Sequence, residues 1–127
     1  MFTRPFFMSQ RFAKEERLKS KQDLARLFEE GTFVRKRFLA LKSYQTKEKG
    51  QHQIAFSVPK RRFPRAVDRN RIKRRLLEAY RLNKDKLGLP TEYKMQLILI
   101  YNSSAEHNYQ EIEKTLLKLF AESNNLS

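Results

Sequence analysis

QIAFSVPKRRFPRAVDRNRIKRRLLEAYRLN, residues 53–83, changes its hydrophobic period once, and that change decides the fold. From Gln53 to Val58 the chain alternates: Ile54, Phe56 and Val58 face one way, Gln53, Ala55 and Ser57 the other. A period of two is a strand, and Pro59 ends it. From Pro64 to about Leu87 the period becomes helical. Ile72, Leu76, Ala79, Tyr80 and Asn83 share one face, and Arg71, Arg74, Arg75 and Arg81 project from roughly the opposite side. Glu78 is spaced to pair with Arg74 one turn back. Gly88 and Pro90 stop the helix. Tyr93 to Tyr101 then carries apolar residues on both faces, Met95, Leu97 and Leu99 against Ile98 and Ile100, as an interior strand does. Strand, long helix and buried strand make a βαβ unit, for which a right-handed crossover is the common form.

Outward from this unit, Ser20 to Glu30 reads as a helix. Ser20 is its N-cap with Asp23 three residues on, Leu24, Leu27 and Phe28 form its stripe, and Gly31 stops it. Phe33 to Tyr44 is rich in strand formers, and Lys47 to Gly50 is a turn. Asn108 to Ser123 is a last helix, capped by Asn108 with Glu111, its stripe Ile112, Leu116, Leu119 and Phe120. The expected fold is α+β, a single-domain two-layer α/β sandwich of order α-β-β-(β)-α-β-α, with room for a short extra strand. The domain spans 17–123, and 1–16 reads as a disordered N-terminal extension.

Charge sorts the possible functions. The chain has 127 residues with 28 Lys and Arg against 14 Asp and Glu, and the excess is one-sided: 23 basic and 8 acidic residues up to Arg81, 5 and 6 after it. Between Lys60 and Arg75, 9 of 16 residues are basic and only Asp68 is acidic. Fixed guanidinium groups on a rigid helix reach several phosphates at once, so a nucleic acid is the expected partner. An anionic membrane surface is the alternative, disfavoured by a narrow apolar face that includes Asn83. No apolar run nears the roughly 20 residues of a membrane span. With no cysteine there are no disulfides or thiolate metal sites, which suits a cytoplasmic protein. His52 and His107 stand alone, the carboxylates are scattered, and no Gly-rich phosphate loop or metal-ligand cluster is apparent. No catalytic residue and no protein metal site is expected.

Phe56-Ser57-Val58-Pro59-Lys60-Arg61, followed by Ala66-Val67-Asp68-Arg69-Asn70-Arg71-Ile72-Lys73-Arg74, closely resembles the protein component of bacterial ribonuclease P. Arg17-Leu18-Lys19, Phe28, Gly31, Arg37-Phe38 and the helix from Tyr109 also look like that family, so the resemblance runs from about Arg17 to Phe120. Leu24 stands where the family often has an aromatic residue and Pro59 where it often has Ser. The resemblance implies a left-handed βαβ crossover around the Arg-Asn-Arg helix. It implies a protein that assists endonucleolytic removal of the 5′ leader of precursor tRNA to leave 5′-phosphate ends. The catalytic groups and most of the Mg²⁺ would lie in a catalytic RNA subunit, and no further protein partner is required. Two RNA surfaces follow. Arg65, Arg69, Asn70, Arg71, Lys73, Arg74 and Arg75 would face the catalytic RNA. Lys19, Arg26, Phe28, Ser57, Lys60 and Arg61 would hold the leader, where the small face of Gln53, Ala55 and Ser57 leaves room for a strand, Phe28 stacks on a base and the cations meet phosphates. For Phe28 the competing reading is a core residue, and for Arg69 a structural hydrogen bond. A ribosomal or other structural RNA-binding protein is the alternative function, and a double-stranded DNA binder the next.

Overall fold

The computed structural model describes residues 14–126. The elements run α1 (Lys21–Glu30), β1 (Thr32–Lys36), β2 (Leu39–Gln45), β3 (Gln53–Ser57), α2 (Ala66–Asn83), β4 (Met95–Tyr101) and α3 (Tyr109–Leu126), with short 3-10 turns at Lys14–Glu16 and Lys84–Lys86. This is the expected α+β order with the optional strand present.

That strand comes from splitting residues 33–44, which read as one continuous strand. Arg37 turns the chain with a left-handed φ of 55°, and β1 and β2 pair antiparallel from Lys36 against Leu39 to Thr32 against Ser43. Tight hairpin turns favour Asn or Gly at such a position, so an Arg-Phe pair carries no turn signal. The sheet order is β1-β2-β4-β3, with β3 and β4 parallel and joined by α2. β4 is interior, as its two apolar faces require.

The sandwich's two main layers are the sheet and the α2/α3 pair. Ile72, Leu76, Ala79, Tyr80 and Asn83 are all buried, the face read from the sequence, together with Ile112, Leu116, Leu119 and Phe120 of α3. They meet Val34, Leu39, Leu41, Ile54, Leu97, Leu99 and Tyr101 of the sheet. On the opposite face α1 covers only part of the sheet, where Leu18 and Leu27 pack on Ile98 with Leu24, Tyr44, Ala55 and Ile100 around them.

The ends of the helices are closed largely as the sequence indicates. Ser20 Oγ accepts from Asp23 N at 3.3 Å. Asn108 and Glu111 cap each other reciprocally, at 2.9 and 3.3 Å. Gly31 works differently from a left-handed stop: its φ of −75° suits any residue. Its need is space, since a Cβ would lie 2.4 Å from the Leu27 carbonyl oxygen and 3.0 Å from that of Ser43. Glu78 pairs with Arg81 at 2.6 Å rather than with Arg74. The last residues of the expected extension, Lys14–Glu16, form an ordered turn. Glu16 is buried and pairs with Lys84 at 2.6 Å, tying the Lys14–Glu16 turn to the end of α2. The remainder of that extension, and its Phe2, Phe6 and Phe7, lies outside the described residues.

Candidate nucleic-acid interface

The basic residues of α2 divide into two flanks with different partners. On one flank Arg71 donates to both Glu106 oxygens, at 2.6 and 3.0 Å, and to Asp68 at 2.7 Å. Arg75 donates to the His107 carbonyl at 2.8 Å and meets Glu106 at 3.1 Å. These contacts raise the Arg71 pKa and lower that of Glu106, the hydrogen bonds between the two being the largest cause of both. The tie pins the loop between β4 and α3. Tyr101 Oη donates to the Ala105 carbonyl at 2.6 Å and accepts from His107 N at 2.9 Å. His107 stacks on Phe38, and Arg62 donates to Asn102 Oδ1 at 2.9 Å.

On the other flank Asn70, Lys73 and Arg74 are exposed and face across to Arg17 and Lys19. Between them lies a groove of about 520 Å³ whose floor is Leu18, Ile54, Ala55, Phe56 and Leu77. No acidic side chain lines it. Its position follows from the topology: β3 is a sheet edge, and the chain at Arg17–Leu18 runs beside it, with Leu18 N donating to the Ile54 carbonyl at 3.1 Å. Four cations over an apolar floor at a strand edge form a track for a phosphate backbone. The sequence assigned Lys19 and the Asn70, Lys73, Arg74 group to separate RNA surfaces, and the structure brings them to the two sides of one groove. In the sequence Arg17 marks only the start of the resemblance. Its pairing with Ile54 spans too many residues for spacing to reveal.

The other candidate residues take varied places. Arg65 is open, its side chain 76% exposed, with Asp68 3.9 Å away. Arg69 donates to the carbonyls of Phe63 and Pro64, both at 2.9 Å, which is the structural hydrogen-bonding alternative for that residue. Arg26 is also used internally: it donates to Gln96 Oε1 at 2.7 Å, pairs with Asp23 and lies over the Tyr44 ring at 4.6 Å. Lys60 and Arg61 are exposed just beyond β3, and Ser57 is half-buried on the face that carries α1. Phe28 is 49% exposed, so it is not a core residue; Lys42 Nζ lies 5.2 Å from its ring centre.

Among the described residues no three histidines or carboxylates come together to hold a metal ion. Asp68 and Glu106 are engaged by arginines. Among the described residues no helix is long and apolar enough to cross a membrane.

Comparison with known proteins agrees with the geometry. The family model described as ribonuclease P matches residues 12–124. The ribonuclease P protein component of Syntrophobacter fumaroxidans is 30% identical over 112 residues, covering 88% of this chain and 91% of that protein. Among solved structures, the Staphylococcus aureus RNase P protein superimposes with a TM-score of 0.72 at 24% identity, covering 85% of this chain and 94% of that one. The RNase P protein from Thermotoga maritima gives 0.70 at 20% identity, covering 84% and 96%. A family match along almost all the described residues, on a fold shared with these proteins, means that the chain belongs to the ribonuclease P protein family, as a protein component of that tRNA-processing nuclease.

Proposed function

We propose that the chain assists cleavage by binding two RNAs at once, the catalytic RNA subunit and the 5′ leader of precursor tRNA, while the catalytic RNA carries the reactive groups and most of the Mg²⁺. The observation that carries this reading is the acid-free groove between Lys19 and Arg17 on one side and Asn70, Lys73 and Arg74 on the other. Its α2 wall, continued by Arg65, faces the catalytic RNA. Its other wall leads onto the sheet face beside α1, where Ser57, Lys60 and Phe28 meet the single-stranded leader. Phosphate contacts and stacking read little sequence, which fits a protein that serves many tRNA precursors. The pinned flank, Arg71 and Arg75 with Glu106, holds α2 to the loop between β4 and α3. Hydrolysis of a phosphodiester requires an activated water and a stabilised leaving oxygen, and in this reading the catalytic RNA and its Mg²⁺ supply both.

The test compares two variants in the assembled ribonucleoprotein. Lys19→Ala weakens binding of precursor tRNA more than of mature tRNA, because only the precursor has a leader. Lys73→Ala weakens assembly with the catalytic RNA. Equal losses for precursor and mature tRNA with Lys19→Ala overturn the leader assignment, and unchanged assembly with Lys73→Ala overturns the α2 assignment.

A further inference from the structure

Phe33 is 52% exposed, the most open aromatic ring among the described residues, and it lies on β1 at the sheet edge opposite β3. The next residue, Val34, is buried between the sheet and the α2/α3 layer. Successive strand residues point to opposite faces, so Phe33 points to the face that carries α1. Its cross-strand partner is Lys42. Lys42 Nζ in turn donates to the Phe28 carbonyl at 2.5 Å and lies 5.2 Å from the Phe28 ring centre. Gly31, with no room for a Cβ against Leu27 and Ser43, lets the chain pass directly from α1 into β1. That passage sets Phe28 and Phe33, five residues apart, on the face that also carries Lys42. Arg35 is exposed on the same face of β1.

An exposed aromatic on an edge strand is an aggregation liability. Two half-open rings on one face, with an ammonium group beside the first and on the residue paired with the second, match two unpaired bases joined by a phosphate: each ring offers a stacking face, and the cation meets the charge that joins them. We infer that Phe33 is a second base-stacking residue for the precursor leader, with Lys42 holding the phosphate between the base on Phe28 and the base on Phe33. This rests on the assignment of the α1 face to the leader. The sheet order adds a direction. β3 and α2 lie at the end that meets the catalytic RNA, and β1 is three strands away, about 14 Å at ordinary strand spacing. Phe33 therefore takes a nucleotide farther from the cleavage site than those met by Ser57 and Lys60.

The experiment uses the assembled ribonucleoprotein and precursor tRNAs whose leaders lengthen one nucleotide at a time. Phe33→Ala is expected to weaken binding of long-leader precursors at least about five-fold, the low end for one base–aromatic stack. Short-leader precursors, mature tRNA and assembly with the catalytic RNA are unaffected. Phe33→Tyr restores binding and Phe33→Leu does not, which separates stacking from apolar contact. The chain has no tryptophan, so Phe33→Trp gives a single tryptophan, excited selectively over the tyrosines, whose fluorescence changes only when the leader passes that minimum length. Loss of precursor selectivity with Lys19→Ala but none with Phe33→Ala overturns this inference and leaves the leader assignment standing. No precursor-selective loss with either removes both. A change in sedimentation of the free protein with Phe33→Ala, without an effect on precursor, assigns the ring to contact between copies of this chain and overturns the inference.

Discussion

Arg71 and Arg74 are separated by less than one turn of α2, and the sequence treats them alike, as guanidiniums opposite the Ile72–Leu76–Tyr80 stripe. The structure separates them. Arg71 is held by Glu106 and Asp68, whereas Arg74 lines the groove. Glu106 is 35 residues from Arg71 in a loop that gives no local signal, so only the fold could show the pairing. Arg74→Ala should therefore cost on the order of 1–3 kcal/mol of affinity for the catalytic RNA, the scale of a charge-assisted hydrogen bond, with the melting temperature unchanged. Arg71→Ala should lower the melting temperature, because it frees the loop at Glu106 as well as removing a cation. Filter binding and circular dichroism melts measure the two effects; equal melting temperatures for both variants would contradict the division into a pinned and an open flank. Glu106→Gln probes the same tie from the acid side. It weakens the hold on Arg71 and Arg75 and should steepen the salt dependence of RNA binding, as two guanidiniums become more available to phosphate.

Elements were more legible than their boundaries. The buried face of α2, the interior character of β4 and the reciprocal cap of α3 all follow from period and spacing, because each is set by neighbours in sequence. The β1–β2 hairpin did not, since it depends on Arg37 adopting a left-handed conformation that the sheet register imposes. Gly31 was legible as a stop but not in its reason, a close approach to Ser43 across the start of the sheet. Gly31→Ala keeps an allowed φ but forces a Cβ against Leu27 and Ser43, and should destabilise by about 1–3 kcal/mol, as overpacking does. Urea unfolding measures it, and wild-type stability would mean that the junction of α1 and β1 is loose. His52 ties two other pieces together. Its Nδ1 accepts from Met95 N at 2.9 Å, and its ring also engages the Pro90 backbone. Burial lowers its pKa, so the folded protein favours the neutral ring, which alone can accept from Met95. The stabilisation is complete above the unfolded histidine value near 6.5 and is lost as pH falls below it toward the lowered folded value. Between pH 7.5 and 5.5 the wild type should lose stability, and His52→Gln, already weaker at pH 7.5, should lose less over the same interval. Parallel pH profiles for the two proteins would remove His52 from the account.

Over the whole molecule, charge is the property that the sequence states most clearly and the fold then distributes. The net +14 looked like one long basic run centred on residues 60–75. Folding engages part of that run internally, through Arg62, Arg69, Arg71 and Arg75, and gathers Arg17, Lys19, Lys73 and Arg74 around the groove. The number of phosphates met by the protein should therefore be smaller than the count of basic residues suggests, and salt dependence measures that number. For duplex nucleic acid, the logarithm of affinity falls with the logarithm of salt with a slope of about −0.9 per phosphate contact, and about −0.7 for a single strand. Binding to the catalytic RNA should show a slope of several units. Lys73→Ala should make it shallower by about one contact, whereas Lys60→Ala should leave it unchanged and make the slope for precursor tRNA shallower instead. The two slopes can be changed separately only if the two RNAs meet different cations. The same cations screen repulsion between the two RNAs, so the protein should lower the Mg²⁺ needed for precursor binding while changing the cleavage step less. Single-turnover cleavage across Mg²⁺ concentrations, with wild type, Lys60→Ala and Lys73→Ala, resolves this: a protein effect confined to the cleavage rate, with salt slopes indifferent to both substitutions, would show that the groove is not where RNA is bound.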